Sequence, residues 1–367
     1  MRLTLVISSM AAGGAERIMA IMADYWDKKY DLTLLSFDDG SNPPFYPLPP
    51  GVNHRHLDLV KQSGNLLTAA WNNLIRIRKL RAAIRASNPD CVISFMDQTN
   101  VLTLLATRGT GVPVLVSEQT FPPEHHIGSL WRIMWRFTYP MAARVVPTTA
   151  RTIEVLPRRV RATVIPNPAR SSVGVSGSNP SKRPADRRII IAMGRMDQFK
   201  GHDLLLNAFA SIKDRHPNWS LIILGEGAQR QELESLRDRL ALGNRVSMPG
   251  LVKNPEDYLR QADLFVMSSR FEGLPLSLGE AMASGLAVIS TDCPTGPREM
   301  ITDGVDGLLV PNEDGDALGA AMDRLMSDDQ TRQRLAARAS EVTQRFGVEK
   351  VMAMWEALVN EVVGQKG

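Results

Sequence analysis

Cysteine is almost missing from this chain. Cys91 and Cys293 are the only two in 367 residues, too few for a disulfide framework of the secreted kind. Both lie near expected strand ends and read as reduced packing residues, which points to a cytoplasmic location. Histidine is also sparse. The six are scattered without an H-x-x-x-H or a Cys/His cluster, so no metal site is expected. Asp314-Gly315-Asp316 spells a D-x-D, but Asp316 is expected to cap the helix after it, and Asp38-Asp39-Gly40 reads as a turn. No apolar run approaches the ~20 residues of a membrane span. The opening MRLTLVISSMAAGGAER has too short an apolar run for a signal peptide and reads as a buried strand and its loop. A full G-x-G-x-x-G, a P-loop lysine motif and a repeat at solenoid spacing are missing as well.

What is present suffices for two domains with separate cores. Charge is unevenly spread. Residues 1–170 hold 20 Lys/Arg against 12 Asp/Glu, a net of +8, and residues 171–367 hold 23 against 27, a net of −4. A basic first half implies an anionic partner: a membrane surface, a phosphorylated acceptor or nucleic acid. No recognition motif supports the last of these.

Residues 3–8 are apolar without a period, as a parallel strand buried on both faces should be. Gly13 and Gly14 follow, then a helical pattern over 15–26, the opening of a nucleotide-type α/β unit. Further first-half strands are expected at 32–36, 54–57, 91–95, 114–117, 144–147 and 163–165. Helices are expected at 66–86 and 99–108. In 66–86, Leu74, Ile77, Leu80 and Ile84 share a side, and Arg76, Arg78, Lys79, Arg81 and Arg85 crowd the others. Segment 129–143 mixes Trp131, Arg132, Trp135, Arg136, Phe137 and Tyr139. After Pro166-Asn167-Pro168, SSVGVSGSNPSKRPADR is the clearest linker. Beyond it strands are expected at 188–193, 220–224, 245–248, 264–267 and 287–290. Helices are expected at 202–215, 229–240, 276–283, 316–326, 330–345 and 348–363. Alternating strands and helices mean parallel sheets. The expected division is 1–168, a linker at 169–187, 188–345, and a terminal segment at 346–367.

The most informative stretch is SSRFEGLPLSLGEAMASGLAVISTDCPTGPREMITDGVDGLLV, residues 268–310. A strand ends just before it. Glu272 and Glu280 then follow with seven residues between them, Gly273 and Pro275 included. A glycine-bearing turn from strand to helix leaves backbone N–H groups at the positive end of the helix dipole, which suits a diphosphate. The acids would repel phosphate but accept hydrogen bonds from sugar hydroxyls. On physics alone this is a site for a nucleotide carrying a sugar. Gly194-Arg195 follows the first strand of the second half, and Lys200-Gly201 lies five residues on. A guanidinium fork and a lysine charge at a strand's C-terminal end can clamp a diphosphate and stabilise it as it leaves. The plainer alternatives are solvated cations, a dipole-matched Glu280 at a helix start, and a simple tight turn at Gly13-Gly14.

The stretch resembles the EX7E signature of retaining GT-B glycosyltransferases of family 4, through Glu272 and Glu280 within FEGLPLSLGEAMASGLAVISTD and the following GPREMITDGVDGLLV. The resemblance covers almost the whole chain, strongly after Arg188 and more weakly before Asn167. It implies an α/β, GT-B architecture: two Rossmann-like, doubly wound parallel-sheet domains facing across a cleft that holds the active site. The first would bind the acceptor and the second the nucleotide sugar, and the terminal helix would cross back to the first. It implies catalytic roles for Glu272 at the donor sugar and for Arg195 and Lys200 at the diphosphate. It places Glu280 on the ribose, and Gly273, Leu274, Pro275, Leu276 and Ser277 around the diphosphate. Gly13 and Gly14 would close over the donor, Gly194 and Gly225 would border the nucleotide crevice, and Leu251 and Val252 would read the base. Arg298 and Glu299 would form a supporting shell. Many members carry a histidine after a first-domain strand, where this chain reads Val116-Ser117-Glu118-Gln119. His125 and His126 follow Pro122-Pro123 in a loop and do not replace it. Asp97 and Glu118 are therefore the candidates for sugar or acceptor contact, and either could equally be an ordinary loop acid; Glu16 joins them through the GGAER spelling, with a dipole-matched surface acid as its alternative.

Through GGAER, SFMDQTN, SEQ and TGPREMI the chain looks like the subgroup that extends lipid-linked oligosaccharides in bacterial surface polysaccharide or glycoprotein synthesis. That resemblance implies UDP-Gal or UDP-GalNAc as the first-ranked donor, GDP-mannose as the second, and an undecaprenyl-diphosphate saccharide as acceptor. It implies retention by front-face departure, with no metal cofactor. The basic and aromatic segments 66–86 and 129–143 would rest on the inner face of the cytoplasmic membrane, and no nucleic acid would be bound. Two other classes stay open: a Rossmann NAD-dependent oxidoreductase with Asp38 as its ribose ligand, and a non-catalytic carbohydrate-binding relative.

Overall fold

The computed structural model describes residues 1–60, 66–120, 128–171 and 187–365. His125, His126 and most of the expected linker lie outside the described residues. The chain divides into two compact units, one of Met1–Pro166 with Val351–Gly367 and one of Asn167–Lys350.

In the first unit the strands are β1 (Arg2–Ile7), β2 (Asp31–Ser36), β3 (Asn53–His56), β4 (Cys91–Phe95), β5 (Val114–Glu118) and β6 (Arg144–Pro147). They form one sheet in the order β3-β2-β1-β4-β5-β6, and every pairing is parallel. Leu5 of β1 lies opposite Leu34 on one side and Ile93 on the other. The helices are α1 (Gly14–Trp26), α2 (Leu66–Ser87), α3 (Asp97–Thr107), α4 (Ser129–Thr138) and α5 (Ala150–Ile153). Residues 163–165 do not form the expected strand. The N–H groups of Thr163 and Ile165 donate to the carbonyls of Val145 and Pro147 at 3.0 and 3.2 Å, and Pro166, which has no N–H, ends the pairing. Helix α2 also departs from its expected apolar side. Leu80 and Ile84 are buried, but Leu74 is 38% exposed. Two of its arginines turn inward instead. Arg76 Nε donates to the Leu59 carbonyl at 2.8 Å. Arg81 donates to the carbonyls of Leu105, Ala106 and Arg108, groups that the end of α3 leaves without intrahelical partners.

In the second unit the strands are β7 (Arg188–Met193), β8 (Trp219–Leu224), β9 (Val246–Gly250), β10 (Leu264–Met267), β11 (Ala287–Asp292) and β12 (Leu308–Pro311). Their order is β12-β11-β10-β7-β8-β9. Successive residues of β7 enter different cores. Ile190 packs with Leu221, Val266 and Ile289, and Ile191 packs with Phe265 and Val288. Side chains alternate across a strand, so a sheet covered on both faces needs apolar residues at every position. That is why β7 and β10 show no polar alternation, whereas the edge strand β9 alternates buried and exposed residues. The helices are α6 (His202–Ile212), α7 (Arg230–Arg239), α8 (Pro255–Leu259), α9 (Leu276–Ala283), α10 (Pro297–Met300), α11 (Gly315–Ser327), α12 (Asp329–Ala339) and α13 (Val342–Phe346), before the terminal α14 (Val348–Gly364). The expected helix 330–345 is two helices, broken at Ser340-Glu341. The cap of α11 is Asp314 rather than Asp316: its Oδ1 accepts from the Ala317 N–H at 2.8 Å. A cap needs extended backbone, which Asp314 has, whereas Asp316 is already inside the first turn.

Within the first unit, Trp355 of α14 stacks on Phe95 of β4 with ring centroids 6.3 Å apart. Glu356 accepts from Trp26 Nε1 at 3.1 Å and from Lys29 Nζ at 2.9 Å. Both sheets reverse their winding once, at β1/β4 and at β7/β10. Ligands of open α/β sheets bind beside the C-terminal strand ends at such a point.

Candidate active site

In the second unit, residues 194–201 leave β7 and residues 268–275 leave β10. These strands are neighbours at the winding reversal, so their loops meet, and 72 residues of sequence separation close to a direct contact. Lys200 Nζ donates to Glu272 Oε1 at 2.6 Å. Ser269 Oγ donates to the same oxygen at 2.6 Å. Among the described residues nothing donates to Oε2. Glu272 is only 8% exposed, and a carboxylate this buried needs a paired cation. The backbone around it is pinned as well. Thr295 Oγ1 donates to the Glu272 carbonyl, Thr291 Oγ1 to the Ser269 carbonyl at 2.5 Å, and Asn167 Nδ2 to the Leu274 carbonyl at 2.9 Å. Cys293 is buried nearby. Burial, and then the Glu272 charge, push its thiol well above the ordinary range, so it is inert as a nucleophile.

Asp197 organises the Lys200 loop. Its Oδ1 accepts from the N–H groups of Phe199 and Lys200 at 3.0 and 3.2 Å, and its Oδ2 accepts from Arg195 Nε at 2.6 Å. Arg195 is 72% exposed on its side chain. It shares the loop with Lys200 but is not in the Lys200–Glu272 cluster. His202 opens α6 and is buried, with Nε2 3.3 Å from the Gly194 carbonyl. Burial lowers its pKa to about 4, so at pH 7 it is neutral and Nε2–H is the donor. Gly225 has φ +143°, and a Cβ there would lie 2.0 Å from the Gly194 carbonyl oxygen. Only glycine lets the ends of β7 and β8 come this close.

Glu280 does not start its helix. It is the fifth residue of α9 and 2% exposed, beyond the first turn where the dipole acts. Gly273, Leu274 and Pro275 form the turn into α9, and Leu276 and Ser277 are its first two residues. Leu251 is exposed and Val252 half-buried directly after β9. Arg298 is exposed and paired with Asp292.

In the first unit, the Gly13 carbonyl accepts from the Arg17 N–H at 3.1 Å, and Gly14 is the first residue of α1. Glu16 folds back over Gly13, where a Cβ would be 2.1 Å from its Oε2. Asp97 follows Met96, a non-glycine residue at φ +75°, a strained conformation of the sort found at functional sites. Glu118 is not a loop acid. It ends β5, is 2% exposed, and accepts from Tyr139 Oη at 2.7 Å and Thr120 Oγ1 at 3.0 Å. Asn100 Nδ2 donates to Tyr139 Oη at 3.2 Å and to the Ser117 carbonyl at 2.9 Å, and Ser94 Oγ donates to Asn100 Oδ1 at 2.7 Å. Burial pushes the Glu118 carboxyl up to about 6; the bond from Tyr139 opposes this and the nearby Asp97 charge adds to it.

The structure therefore brings Lys200 and Glu272 together, while Arg195 pairs with Asp197. Sequence reasoning passed over Ser269, Thr291, Thr295 and Asn167, which hold Glu272 and its loop. The Ser268-Ser269 pair just before the acid was the one available signal. Among the described residues no three His, Cys, Asp or Glu side chains are grouped to hold a metal.

The family pattern described as "Glycosyl transferase 4-like domain" matches residues 12–168, and "Glycosyl transferases group 1" matches residues 178–342. The chain is 28% identical over 367 residues, 99% of each chain, to the GalNAc-alpha-(1->4)-GalNAc-alpha-(1->3)-diNAcBac-PP-undecaprenol alpha-1,4-N-acetyl-D-galactosaminyltransferase of Campylobacter jejuni. Its fold matches the sucrose-phosphate synthase of Thermosynechococcus elongatus with a TM-score of 0.84 at 18% identity, covering 100% of both chains. It matches Anabaena HepE, solved in complex with UDP-glucose, with a TM-score of 0.78 at 18% identity over 100% of both chains. The chain is a glycosyltransferase of the GT-B fold, built from a glycosyl transferase 4-like domain followed by a glycosyl transferases group 1 domain.

Proposed function

We propose that this enzyme transfers a sugar from a UDP-sugar, UDP-GalNAc or UDP-Gal, to a saccharide on undecaprenyl diphosphate, with retention at the anomeric carbon and without a metal. The observation that carries this reading is the Lys200–Glu272 contact at the winding reversal of the second sheet. A cation and a carboxylate held side by side at the C-terminal strand ends offer one group to a diphosphate and one to sugar hydroxyls. Glu272 presents Oε2 to the donor sugar while Oε1 stays on Lys200 and Ser269. Lys200 and Arg195 neutralise the diphosphate as it departs, the work a metal does elsewhere. Glu280 holds the ribose, and the diphosphate accepts the acceptor proton, so no strong protein base is required. GDP-mannose is the alternative to a UDP-sugar as donor. The likeness to the Campylobacter enzyme supports the lipid-linked acceptor and the GalNAc donor.

The first unit supports a seat on the inner face of the cytoplasmic membrane. Leu130, Ile133, Phe137 and Met141 are exposed at helical spacing on α4 and the turn after it. Arg132 and Arg136 flank them, while Trp135 and Tyr139 are buried. Exposed apolar residues beside cations fit an anionic bilayer.

The test is a thermal-shift screen of the full chain against UDP, GDP, ADP and NAD, each with and without EDTA. A ligand that binds only the folded state raises Tm by mass action. A UDP shift that survives EDTA is expected. A GDP-only shift moves the donor to GDP-mannose. A response that vanishes with EDTA removes the metal-free mechanism.

A further inference from the structure

The loops that carry Lys200 and Glu272 are tied by more than that contact. Arg270 stands between Ser269, which bonds Glu272, and Phe271. Its guanidinium forks onto Asp203 in the first turn of α6, Nη1 to Oδ1 at 2.8 Å and Nη2 to Oδ2 at 2.7 Å. Nη1 also donates to the Gln198 carbonyl at 2.9 Å, and Nε to Glu313 Oε1 at 3.1 Å. The Arg270 N–H donates to the Phe199 carbonyl at 2.8 Å, and Ser268 Oγ to the Lys200 carbonyl at 3.2 Å. Gly201 has φ +61°, and a Cβ on it would lie 2.1 Å from the Ser268 carbonyl oxygen. Gln198, Phe199, Lys200 and Gly201 thus each meet a partner within 268–270. Asn312 Nδ2 holds the far side by donating to the Arg270 carbonyl at 3.1 Å.

We infer that Arg270 and Asp203 form a positioning clamp, which fixes the Lys200 loop on the Glu272 loop and so sets where the lysine charge meets the donor diphosphate. Three observations carry this. Four of the five guanidinium N–H groups are engaged, so Arg270 keeps little capacity for a phosphate of its own. The fork is bidentate, the arrangement that confers geometry as well as attraction. Lys200 is a point charge on a flexible four-carbon stem, so its place is only as definite as its backbone. The hydrogen bonds between them, and then their opposite charges, lower the pKa of Asp203 and raise that of Arg270. The clamp rests on the reading of Lys200 as a diphosphate ligand.

The test is UDP affinity by titration calorimetry on the full chain, with Tm measured alongside. Arg270→Lys keeps the charge and loses the fork, and Asp203→Asn keeps the shape and loses the charge. Each is expected to weaken UDP binding by about tenfold, as a displaced charged contact does, with Tm within a few degrees of the parent. Asp203→Glu, which can still receive the fork, should recover most of what Asp203→Asn loses. Lys200→Met should weaken binding by itself, and Arg270→Lys/Lys200→Met should bind no worse than Lys200→Met alone, because Arg270 acts through Lys200. Unchanged UDP affinity in Arg270→Lys and Asp203→Asn, whatever their Tm, overturns the clamp. So do losses that simply multiply in the double variant. If Lys200→Met binds UDP like the parent, the donor-site reading fails first, and the clamp's route through Lys200 fails with it.

Discussion

Glu118→Gln should stabilise the protein at pH 8 and leave it nearly unchanged at pH 4.5. Burial lifts the Glu118 carboxyl to about 6 from the usual 4.5. Between those values the folded state holds a proton that the unfolded chain has released. Stability therefore falls as the pH rises through this window. The group's contribution is most favourable below pH 4.5 and is reduced by about 2 kcal/mol once the pH has passed 6, at about 1.4 kcal/mol per pH unit. Glutamine removes the titration and keeps the contacts. Its carbonyl can accept from Tyr139, and its amide can donate to the Thr120 hydroxyl, which rotates to suit. For a unit of this size about 2 kcal/mol corresponds to a Tm rise of roughly 4–8 °C. Scanning calorimetry of both proteins at pH 4.5, 6 and 8 measures it. Equal destabilisation of the variant at pH 4.5 and pH 8 would refute the reasoning, because the hydrogen bonds rather than the charge would then decide. The same variant tests the role of Glu118. Retained transfer marks a structural acid, and a raised Tm with lost transfer means that its carboxylate meets a substrate.

Glu272→Gln keeps an oxygen for Lys200 and Ser269 but removes the negative charge. It should lower transfer by ~10²–10³-fold, the cost of losing one transition-state contact, while UDP affinity stays within a few-fold; a full transfer rate would remove Glu272 from the chemistry. Replacing Leu130, Ile133 and Phe137 together with serine should abolish sedimentation with phosphatidylglycerol-containing vesicles, because each apolar side chain contributes about 1.5–3 kcal/mol when buried. Undiminished sedimentation of this variant would move the membrane contact away from α4.

The limits of sequence reading show at particular residues. The buried strands were legible because apolar runs such as 188–193 have one meaning when both faces of a sheet are covered. Strand β12, Leu308–Pro311, was not expected. Asp316 looked like a cap by residue type, but the cap depends on which residue takes extended backbone, and that was Asp314. The helix expected at 276–283 is α9, but Glu280 is its fifth residue rather than part of its start. Arg76 and Arg81 counted as a basic face until carbonyls of the Leu59 and α3 segments claimed them.

Sequence by itself determined the two α/β halves and the residue types at the proposed donor site, because periodicity, glycine turns and the spacing of Glu272 and Glu280 are local properties. Tertiary structure alone decided which of those residues meet. Lys200 and Glu272 are neighbours because β10 pairs with β7 across the winding reversal, and strand order is a long-range property that no local pattern encodes. The same holds for burial. Glu118 ends β5 and Glu272 lies in the loop after β10; both are buried acids, yet one sits in a hydrogen-bonded network against Tyr139 and the other beside a lysine. The packing around a carboxylate, not its place in the chain, sets its charge and its reach.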